Sequence, residues 1–526
     1  MSDYLKIGKA IELSGKNKIF YRLFEIFPGF LSWGTLITLA VLSYFHPIFV
    51  AYFIIAFDIY WLLLVLFLSI HLISSYGKMK KNISVDWRQK CEELGERVLE
   101  IENFQTHEKR KINLNWRDIV QLTILPIYKE SKEVVATTLE AIKNCGYPTE
   151  NMIIILSVEE RAGQEALSRA KEIEKEFGSS FRKFILTIHP ENIEGELKGK
   201  GANQAWAGRI IKKEVIDKEG IDYDKILVNV FDIDTVIYPN YYYVLAYRFL
   251  NAEKPYRTSY QPIPVYHNNI WQAPFFARVA ASSNTFWQMM QQIRQEKLAT
   301  YSSHSMTWRA LVDVDFWSVS MVSEDSRIFW HCYFYYNGDY RVEPLYYPVS
   351  MDVTMDETMF TTAKNLYKQQ RRWGWGVENV PYILFNTIKK WKLLPKKKTI
   401  SRILVQIYGF HSWATNALII AVIGWMPIFL GGDDFNNSVL SANLPIITRN
   451  LMTIAMSGLV ISAIISTCLL PPRPTKYGFW KSFGMVAQWA LLPLSIIIFG
   501  SVPGLDAQSR LMAGKYMGFF VTPKKR

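Results

Sequence analysis

Long apolar segments lie near both ends of the chain and enclose a region with a different pattern. An apolar run over residues 30–45 is followed, after His46 and Pro47, by a second run over residues 48–73. The second run is long enough to cross a bilayer as one helix. Later apolar runs cover residues 403–430, 450–470 and 483–502. The pattern predicts membrane helices on both sides of a water-facing domain.

Charged residues beside these runs predict the orientation of the helices. Lysines lie before residue 30 and again at residues 78–81. The positive-inside rule therefore places both ends of the first helix pair in the cytoplasm. No small-residue cleavage site follows the first run, which argues against a removable signal peptide. The basic tail at residues 522–526 is also expected in the cytoplasm, whereas five complete spans would place it outside. Either one segment is re-entrant or the spans are miscounted, and the pattern leaves both open.

The central region alternates short apolar strands with amphipathic helices. Such an alternation favours a mostly parallel sheet with helices on both faces. The region lacks a dinucleotide GxGxxG sequence, and Gly199 and Gly201 lack the spacing of a phosphate-binding P-loop. The expected fold is therefore α/β and Rossmann-like in general character. Strands are predicted at residues 119–127, 152–158, 184–189 and 225–231, and helices at 131–144, 164–177 and 202–213.

The pattern divides the chain into five parts. Residues 1–81 form the predicted N-terminal membrane hairpin, and residues 82–118 form a charged connector that is expected to be helical. Residues 119–376 form the α/β domain. Residues 377–400 are amphipathic and rich in lysine, which predicts a helix lying in the membrane interface. Residues 401–526 hold the C-terminal membrane helices and the basic tail.

The composition supports this mixed organisation. Of the 526 residues, 50% are hydrophobic and 15% are aromatic, and the mean hydropathy is +0.03. These values are too apolar for an ordinary soluble enzyme and too polar for a pure bundle of membrane helices. The net charge of +13 suits anionic lipid headgroups and phosphorylated substrates, and the basic residues form no recognisable nucleic-acid motif. The cysteines show no CxxC spacing, and we expect free thiols and no zinc site at Cys91, Cys145, Cys332 and Cys468.

The strand predicted at residues 225–231 is followed by two carboxylates, Asp232 and Asp234. Residues at i and i+2 of a strand project to the same side. In open α/β sheets, ligands bind at the carboxyl edge of the strands. Paired carboxylates at that edge suit a Mg²⁺ or Mn²⁺ ion that carries a diphosphate. Alternatively, the two acids only cap the loop after the strand.

Three other clusters accompany this DxD sequence. They are the basic stretch KGK over residues 198–200, the acidic triplet SED over residues 323–325, and QQRRW over residues 369–373. In this order, and between membrane helices, DxD, SED and QxxRW resemble the motifs of the processive membrane glycosyltransferases of family 2, such as the cellulose, chitin and hyaluronan synthases. The resemblance covers residues 120–376 and implies a GT-A fold. It also implies an inverting transfer from a nucleotide sugar.

The resemblance, together with the chemistry of a diphosphate leaving group, assigns roles to these residues. Asp234 is expected to hold the divalent ion, and Asp232 to face the nucleotide or share the metal. Arg372 can form two parallel hydrogen bonds to phosphate oxygens, and Lys200 can add a point charge. The resemblance makes Asp325 the general base for the acceptor hydroxyl, with Glu324 beside it.

Other residues are expected at the acceptor. Trp373 offers a flat apolar face on which an acceptor sugar can stack, and Gln369 is the expected hydrogen-bond partner. His304, in the stretch YSSHSMTW, lies where family members line the acceptor site, and a structural histidine is the alternative. Three further alternatives remain. Asp325 could cap the following helix, Arg372 could bind lipid phosphate, and Trp373 could belong to an aromatic belt.

The donor site departs from the family pattern at two positions. The loop with Pro126, Tyr128 and Glu130 resembles the family's Pro-x-Tyr-Asn-Glu nucleotide loop, but Lys129 replaces the asparagine. The next strand leads to Glu159, where the family usually has one or two aspartates that hold the nucleoside. We expect these residues to bind the donor, with a UDP-sugar favoured, although Glu159 leaves the base selectivity open.

Together these features predict a multi-pass integral membrane glycosyltransferase with its catalytic domain on the cytoplasmic side of a plasma or inner membrane. The leading hypothesis is a synthase that elongates a β-linked polysaccharide and passes it through its own helices. One alternative is transfer of a single sugar to a lipid, as in ceramide glucosyltransferase. Another is a non-catalytic transporter or scaffold, against which the intact motifs argue. The expected partners are a nucleotide sugar, a glycan or lipid acceptor and membrane lipids, without nucleic acid, and the expected cofactor is Mg²⁺ or Mn²⁺.

Overall fold

A computed structural model describes residues 3–522, so the last four residues of the basic tail lie outside the described residues. An α/β domain lies between two groups of long apolar helices, which confirms the predicted organisation. Five helical segments are long and apolar enough to cross a membrane: Gly15–Phe45, Pro47–Ile83, Lys396–Leu430, Val439–Leu469 and Phe479–Met512.

Two long helices form the N-terminal hairpin. Helix α1 (Gly15–Phe45) ends just before His46, and α2 (Pro47–Ile83) begins at the proline that follows. Proline fits the first turn of a helix because an N–H at that position would have no helical partner. Near the end of α2, the Asn82 side chain donates to two backbone carbonyls of the α/β domain. The helix therefore extends beyond its apolar run and reaches the domain.

The prediction of a helical connector over residues 82–118 is wrong for most of its length. Only α3 (Trp87–Leu94) is an α-helix, and strands β1 (Arg97–Glu102) and β2 (Lys109–Leu114) form an antiparallel hairpin. In β1, the buried side chain Leu99 is followed two residues later by a second buried one, which is the period of a strand with one covered face. Charged residues on the exposed face obscured this period in the sequence.

The α/β domain is built on a curled sheet of eight strands. The strands are β3 (Val120–Ile127), β4 (Met152–Glu159), β5 (Lys183–His189), β6 (Ile226–Val230), β7 (Val236–Ile237), β8 (Thr258–Val265), β9 (His304–Thr307) and β10 (Arg341–Ser350). Their order across the sheet is β5-β4-β3-β6-β9-β8-β10-β7. Six strands run parallel, and β9 and β7 run antiparallel to their neighbours. The expected mostly parallel sheet is thereby confirmed.

Helices cover both faces of this sheet. Strand β6 is buried throughout, with Val228 in the apolar cluster on one face and Leu227 in the cluster on the other. The Ser131 side chain accepts a hydrogen bond from the Val134 amide and caps the next helix, as predicted. The helices are α4 (Lys132–Lys143), α5 (Gln164–Phe177), α6 (Lys200–Ile211), α7 (Asp217–Glu219), α8 (Tyr241–Asn251), α9 (Phe275–Ile293), α10 (Trp308–Asp313), α11 (Glu324–Tyr335) and α12 (Met359–Gly374).

The first half of the segment predicted as an interfacial helix packs against other helices of the protein. Helix α13 (Asn379–Lys390) packs against α1, α11 and α14 (Lys396–Ala421). Tyr382 and Phe385 of α13 are buried, and the Tyr382 hydroxyl donates to the Leu5 carbonyl oxygen. An amphipathic pattern shows that one face of a helix must be covered, but both lipid and protein can cover it.

The C-terminal part contains the remaining long helices. Between two of these helices, residues 432–436 form a short helix. We call Phe479–Met512 the final segment, because it contains the last three helices. After α14 the helices are α15 (Met426–Leu430), α16 (Gly432–Asn436), α17 (Val439–Leu469), α18 (Phe479–Ala487), α19 (Leu492–Ile496) and α20 (Val502–Met512).

The final segment stays in contact with the α/β domain. Trp489 stacks on Phe286 of α9 with ring centroids 5.5 Å apart, and Phe499 stacks on Phe276 of the same helix at 5.5 Å. At the other end of the segment, Arg22 of α1 donates to the carbonyl oxygens of the last two residues of α20. Because Arg22 precedes the apolar run of α1, the final segment ends on the side where α1 begins. These contacts favour the re-entrant alternative, in which the final segment returns to the side of the catalytic domain.

Candidate active site

The DxD acids lie in a turn rather than at the end of a strand. Strand β6 ends at Val230, and the Thr235 amide donates to the Asp232 carbonyl oxygen, 2.8 Å away. The alternation of a strand therefore does not orient the two acids. The side chain of Asp232 is 25% exposed, whereas Asp234 is buried. The two carboxylates consequently have different surroundings.

Asp232 is held by a cation and a hydroxyl group. Lys200 Nζ lies 2.7 Å from one carboxylate oxygen, and the Ser302 hydroxyl donates to the other at 2.5 Å. Ser302 precedes β9, whose His304 is opposite Val230 in the antiparallel ladder with β6. The pairing of these two strands therefore brings the serine loop beside the DxD turn.

Asp234 is held from behind by segments that follow β8 and β10. Its carboxylate accepts a hydrogen bond from the Asp352 amide at 3.0 Å. Asn268 Nδ2 donates to the Asp234 carbonyl oxygen at 2.9 Å and to the Asp352 carboxylate at 2.7 Å. The Ser350 hydroxyl donates to Asn268 Oδ1 at 2.6 Å. Asn268 thus connects both segments to the DxD turn.

Lys200 connects the DxD turn to the second acidic cluster. It is the first residue of α6, and its Nζ lies 3.0 Å from Asp325 as well as 2.7 Å from Asp232. Burial by itself would lower the pKa of Lys200, but the carboxylates of Asp232, Asp325 and Glu324 outweigh burial and raise it. Lys200 is therefore a charged link between acids that lie far apart in the sequence.

The acidic triplet forms the N-terminus of α11. The helix begins at Glu324 with Ser323 as its N-cap, so Asp325 lies inside the first turn and the alternative that Asp325 is the cap is wrong. The Asp325 side chain is 24% exposed, whereas Glu324 is buried. Burial, and then the neighbouring Asp325 carboxylate, raise the pKa of Glu324 above its ordinary value. The exposed acid of the triplet is thus the one that contacts Lys200.

Arg372 belongs to the same site. Its guanidinium interacts electrostatically with Glu324 and with Tyr266. Tyr266 also interacts electrostatically with Asp232 and Asp234. These shared interactions place the QxxRW arginine near both acidic clusters.

Gln369 and Trp373 lie on the same helix, α12, at the boundary with the final segment. Gln369 Oε1 accepts a hydrogen bond from the Thr354 hydroxyl at 2.7 Å. Trp373 is half-buried and packs in one apolar cluster with Tyr266 and with Phe499 of the final segment. The residues expected to bind the acceptor therefore lie between the catalytic sheet and an apolar helix.

The predicted donor loop is packed around an ion pair that the sequence did not indicate. Pro126 is in β3, and the Tyr128 amide donates to the Glu130 carboxylate at 2.7 Å. The Arg161 guanidinium lies 4.5 Å from the centre of the Tyr128 ring and forms an ion pair with the buried Glu159. The only sequence signal for Arg161 is its position two residues after Glu159. The partner of Glu159 in this structure is a cation from its own loop.

A cavity of about 30 Å³ opens beside this ion pair. It lies at the carboxyl ends of β4 and β5, and Glu159, Arg161 and His189 contribute to its wall. His189 Nε2 is 2.9 Å from Glu196 Oε2, which also lines the cavity. The donor loop therefore borders a cavity with acidic and basic walls.

His304 lies beneath the site rather than at its surface. Its side chain is fully buried, with Nδ1 2.9 Å from the Tyr301 carbonyl oxygen and Nε2 accepting from Trp317 Nε1 at 3.4 Å. Burial lowers the pKa of His304 to about 4, so the imidazole is neutral at physiological pH. These contacts support the structural alternative for His304 over contact with an acceptor.

The segment after α20 covers Arg372. The Phe519 ring centre lies 4.8 Å from the Arg372 guanidinium. A Cβ added to Gly199 would lie 2.7 Å from the Phe519 side chain, so glycine permits this close approach next to Lys200. The Tyr516 hydroxyl anchors the segment by donating to the Glu25 carboxylate at 2.8 Å. Sequence reasoning missed this contact, because nothing in the local pattern shows where the tail packs.

The comparisons with known proteins concern the region that contains these motifs. Residues 227–472 match a family model described as glycosyl transferase family group 2, and no curated protein matches the chain. The mannosyltransferase PcManGT from Pyrobaculum calidifontis, solved in complex with GDP-Man and Mn²⁺, is similar to the chain at 13% identity and a TM-score of 0.40, over 78% of this chain and 98% of that one. TarS 1–349 of S. aureus, solved in complex with UDP-GlcNAc, is similar at 12% identity and a TM-score of 0.35, over 66% of this chain and 91% of that one.

Proposed function

We infer that this chain is a glycosyltransferase of family 2 that transfers a sugar from a nucleoside diphosphate to an acceptor hydroxyl with inversion at the anomeric carbon. The observation that carries the proposal is the double ion pair of Lys200 with Asp232 and Asp325. It places a cation suited to a diphosphate beside a carboxylate suited to accept a proton. The family match covers both acids and Arg372.

The donor diphosphate is proposed to lie between Lys200 and Arg372. A lysine ammonium acts on phosphate as a point charge, and an arginine guanidinium can donate two parallel hydrogen bonds. Arg372 Nε is buried and has no hydrogen-bond partner in the described part of the chain. A buried donor without a partner costs free energy, and a phosphate oxygen would supply the missing acceptor.

Asp232 and Asp234 fit a Mg²⁺ or Mn²⁺ ion that binds together with the donor. Mg²⁺ is usually held by one or two carboxylates plus substrate phosphates rather than by a complete protein cage. Accordingly, residues 3–522 contain no group of three or more His, Cys, Asp or Glu side chains placed to hold a metal. Because Asp232 is exposed to the site and Asp234 is buried behind it, we assign the direct contact to Asp232 and a supporting position to Asp234. When bound, such an ion would neutralise charge on the leaving diphosphate.

Asp325 is the proposed general base. The acceptor oxygen forms a bond to the anomeric carbon while the bond from that carbon to the diphosphate oxygen breaks, and the acceptor proton passes to the Asp325 carboxylate. A single displacement of this kind inverts the configuration. Without a donor, Lys200 holds Asp325 in an ion pair. A bound diphosphate would compete for Lys200 and release Asp325 for proton transfer.

The nucleoside of the donor and the identity of the acceptor are assigned from the residues around each of them. A UDP-sugar is the proposed donor, with Tyr128, Glu130 and Glu159 near its nucleoside. The acceptor is proposed to stack on Trp373 and to hydrogen-bond to Gln369, and the reaction to elongate a β-linked glycan. The domain would work at the cytoplasmic face of the membrane, because lysines flank the first helix pair on that side.

A lipid acceptor is the second candidate, and one observation favours it. Trp373 shares an apolar cluster with Phe499 of the final segment. Other side chains of the final segment, such as Leu494 and Ile498, are 56% and 42% exposed. The proposed acceptor position therefore lies next to a helix with a wide apolar surface, from which a membrane lipid could reach it.

The test is nucleotide release and product analysis with the full-length protein in detergent. UDP-glucose, UDP-N-acetylglucosamine and GDP-mannose are offered separately with Mg²⁺ or Mn²⁺, and Asp325→Asn serves as the matched variant. Long polymer in size-exclusion chromatography would support elongation, whereas a lipid-linked single sugar on thin-layer chromatography would support the second candidate. Transfer that is unchanged in Asp325→Asn, or no transfer from any of the three donors, would contradict the proposed mechanism.

A further inference from the structure

Helix α9 begins with a buried arginine that forms no ion pair within the described part of the chain. Arg278 lies in the first turn of α9 and is 6% exposed. Its Nε donates to Gln488 Oε1 at 2.7 Å, and its Nη1 donates to the Ala273 carbonyl oxygen at 2.9 Å. Among residues 3–522, no carboxylate forms an ion pair with Arg278. Its hydrogen bonds therefore go to neutral acceptors, and its charge is not neutralised.

A buried cation in this position is unfavourable. Buried charges in proteins are normally paired, because the loss of water is costly for an ion. The first turn of a helix adds to this cost, since the positive end of the helix dipole lies there. Burial lowers the pKa of Arg278 to about 10. The site would gain stability from an anion.

One further cation lies near Arg278, and another lies at the same tyrosine ring as that cation. Lys481 of α18 is half-buried and interacts electrostatically with Arg278. Lys481 Nζ and Lys476 Nζ lie 5.1 Å and 5.4 Å from the centre of the Tyr477 ring. Residues 471–490 contain no aspartate or glutamate. Because like charges repel, one anion between these side chains would stabilise all of them.

The cations lie beside an aromatic surface that suits a membrane interface. Phe479, Trp480 and Phe483 of α18 are 71%, 79% and 56% exposed. Aromatic side chains are enriched at the level of lipid headgroups, and basic residues at that level attract anionic lipids. The arrangement thus combines an uncompensated cationic group with apolar side chains directed outward.

We propose that Arg278, Lys476 and Lys481 bind the phosphate of an anionic lipid headgroup at the junction of α9 and the final segment. The lipid would hold α18 against the catalytic domain. Tyr477 packs in the same apolar cluster as Trp373, so the bound lipid would also support the helix that carries QxxRW. This binding site is independent of the proposed donor chemistry. A soluble phosphate would satisfy the same charges, and the experiment separates the two sources.

The test measures thermal unfolding of the full-length protein in a neutral detergent during separate titrations. The probes are short-chain phosphatidylglycerol, phosphatidylcholine of the same chain length, and inorganic phosphate. We expect phosphatidylglycerol to raise the melting temperature in a saturable way and phosphatidylcholine to leave it unchanged. Lys476→Gln and Lys481→Gln should each weaken the apparent affinity for phosphatidylglycerol by about fivefold. Lys392→Gln and Lys397→Gln, which replace exposed lysines, are matched controls and should bind phosphatidylglycerol like the wild type.

The results with the variants separate a lipid phosphate from a soluble phosphate. Arg278→Gln should show the largest loss of affinity, and the two lysine variants carry the test if that protein does not fold. Saturable stabilisation by inorganic phosphate alone, lost in Lys481→Gln, would overturn the lipid assignment in favour of a soluble phosphate ligand. Equal phosphatidylglycerol affinities of the wild type, Lys481→Gln and Lys392→Gln would overturn the site. The absence of any saturable response to phosphatidylglycerol and phosphate would overturn it as well.

Discussion

Lys200 and Asp325 form an ion pair across the candidate active site, with Nζ 3.0 Å from the nearer carboxylate oxygen. The same ammonium lies 2.7 Å from Asp232. Each partner lies in the first turn of its helix, Lys200 in α6 and Asp325 in α11. One lysine thus couples the region proposed for the donor diphosphate to the proposed base.

Removal of the Lys200 charge should weaken donor binding. We expect Lys200→Gln to raise the KM for the nucleotide sugar roughly 10-fold or more, since a hydrogen bond to a charged group contributes about 1.5–3 kcal/mol. Steady-state nucleotide release measures this effect. Lys198→Gln is the matched control, because Lys198 is exposed and pairs only with the surface residue Glu191 in the described structure. A similar KM for both variants would contradict the proposed role of Lys200.

Replacement of the proposed base should affect turnover and spare donor binding. We expect Asp325→Asn to lower kcat by about 10²–10⁴, the usual contribution of general base catalysis. Donor affinity, measured by calorimetry with the nucleoside diphosphate, should be retained or improved, because Lys200 loses one competing carboxylate. Asp315→Asn, at an exposed acid that pairs with Lys6, should behave like the wild type. A loss of donor affinity as large as the loss of kcat would argue against a base.

Stability should depend on pH through Glu324. Burial raises the pKa of this carboxyl in the folded state, so the folded protein retains a proton that the unfolded chain releases. The contribution of Glu324 to the free energy of unfolding is therefore complete below the ordinary carboxyl pKa. It is lost as the pH rises from about 5 toward the raised pKa of the folded state. Glu324→Gln cannot ionise, and its melting temperature should fall less over this range, by about 2 °C or more.

The control for this prediction is Glu165→Gln, at a carboxylate that is 88% exposed. Its melting temperature should follow that of the wild type at every pH. Parallel curves for the wild type and Glu324→Gln would show that Glu324 does not hold the proton.

Arg161 should contribute to nucleotide affinity without contributing to chemistry. Its guanidinium lies on the Tyr128 ring and pairs with Glu159, at the place proposed for the nucleoside. We expect Arg161→Gln to weaken nucleoside diphosphate binding about fivefold, in line with the strength of a partly buried cation–π contact, and to keep kcat at saturating donor. Calorimetry with UDP and GDP measures both the affinity and the selectivity. The control is Arg169→Gln, at an arginine paired with the exposed Glu165, and it should change neither the affinity nor the selectivity. Identical affinities in the two variants would show that Arg161 does not belong to the donor site.

Local patterns were sufficient for the first strands and helices of the domain, whereas the strands after residue 235 were not predicted. Helix α5 begins and ends at the predicted residues, because its apolar period is clear and Gly178 follows it. Strands β3 and β4 are continuous apolar runs, which is typical of strands buried on both faces. The β1–β2 hairpin was missed, since charged residues on its exposed side hid the period of its buried side. Helix α13 was expected in the membrane interface, although its apolar face is covered by protein.

The sequence by itself determined the chemical groups of the candidate site and the apolar segments on either side of the domain, because side-chain chemistry and periodicity are local properties. Only the tertiary structure decided that Lys200 lies between Asp232 and Asp325, and that Asp234 is buried behind them. It also decided that Phe519 covers Arg372 and that the final segment returns to the domain. These relationships join residues distant in the chain, and they depend on how the strands pair and the helices pack, which no local pattern records.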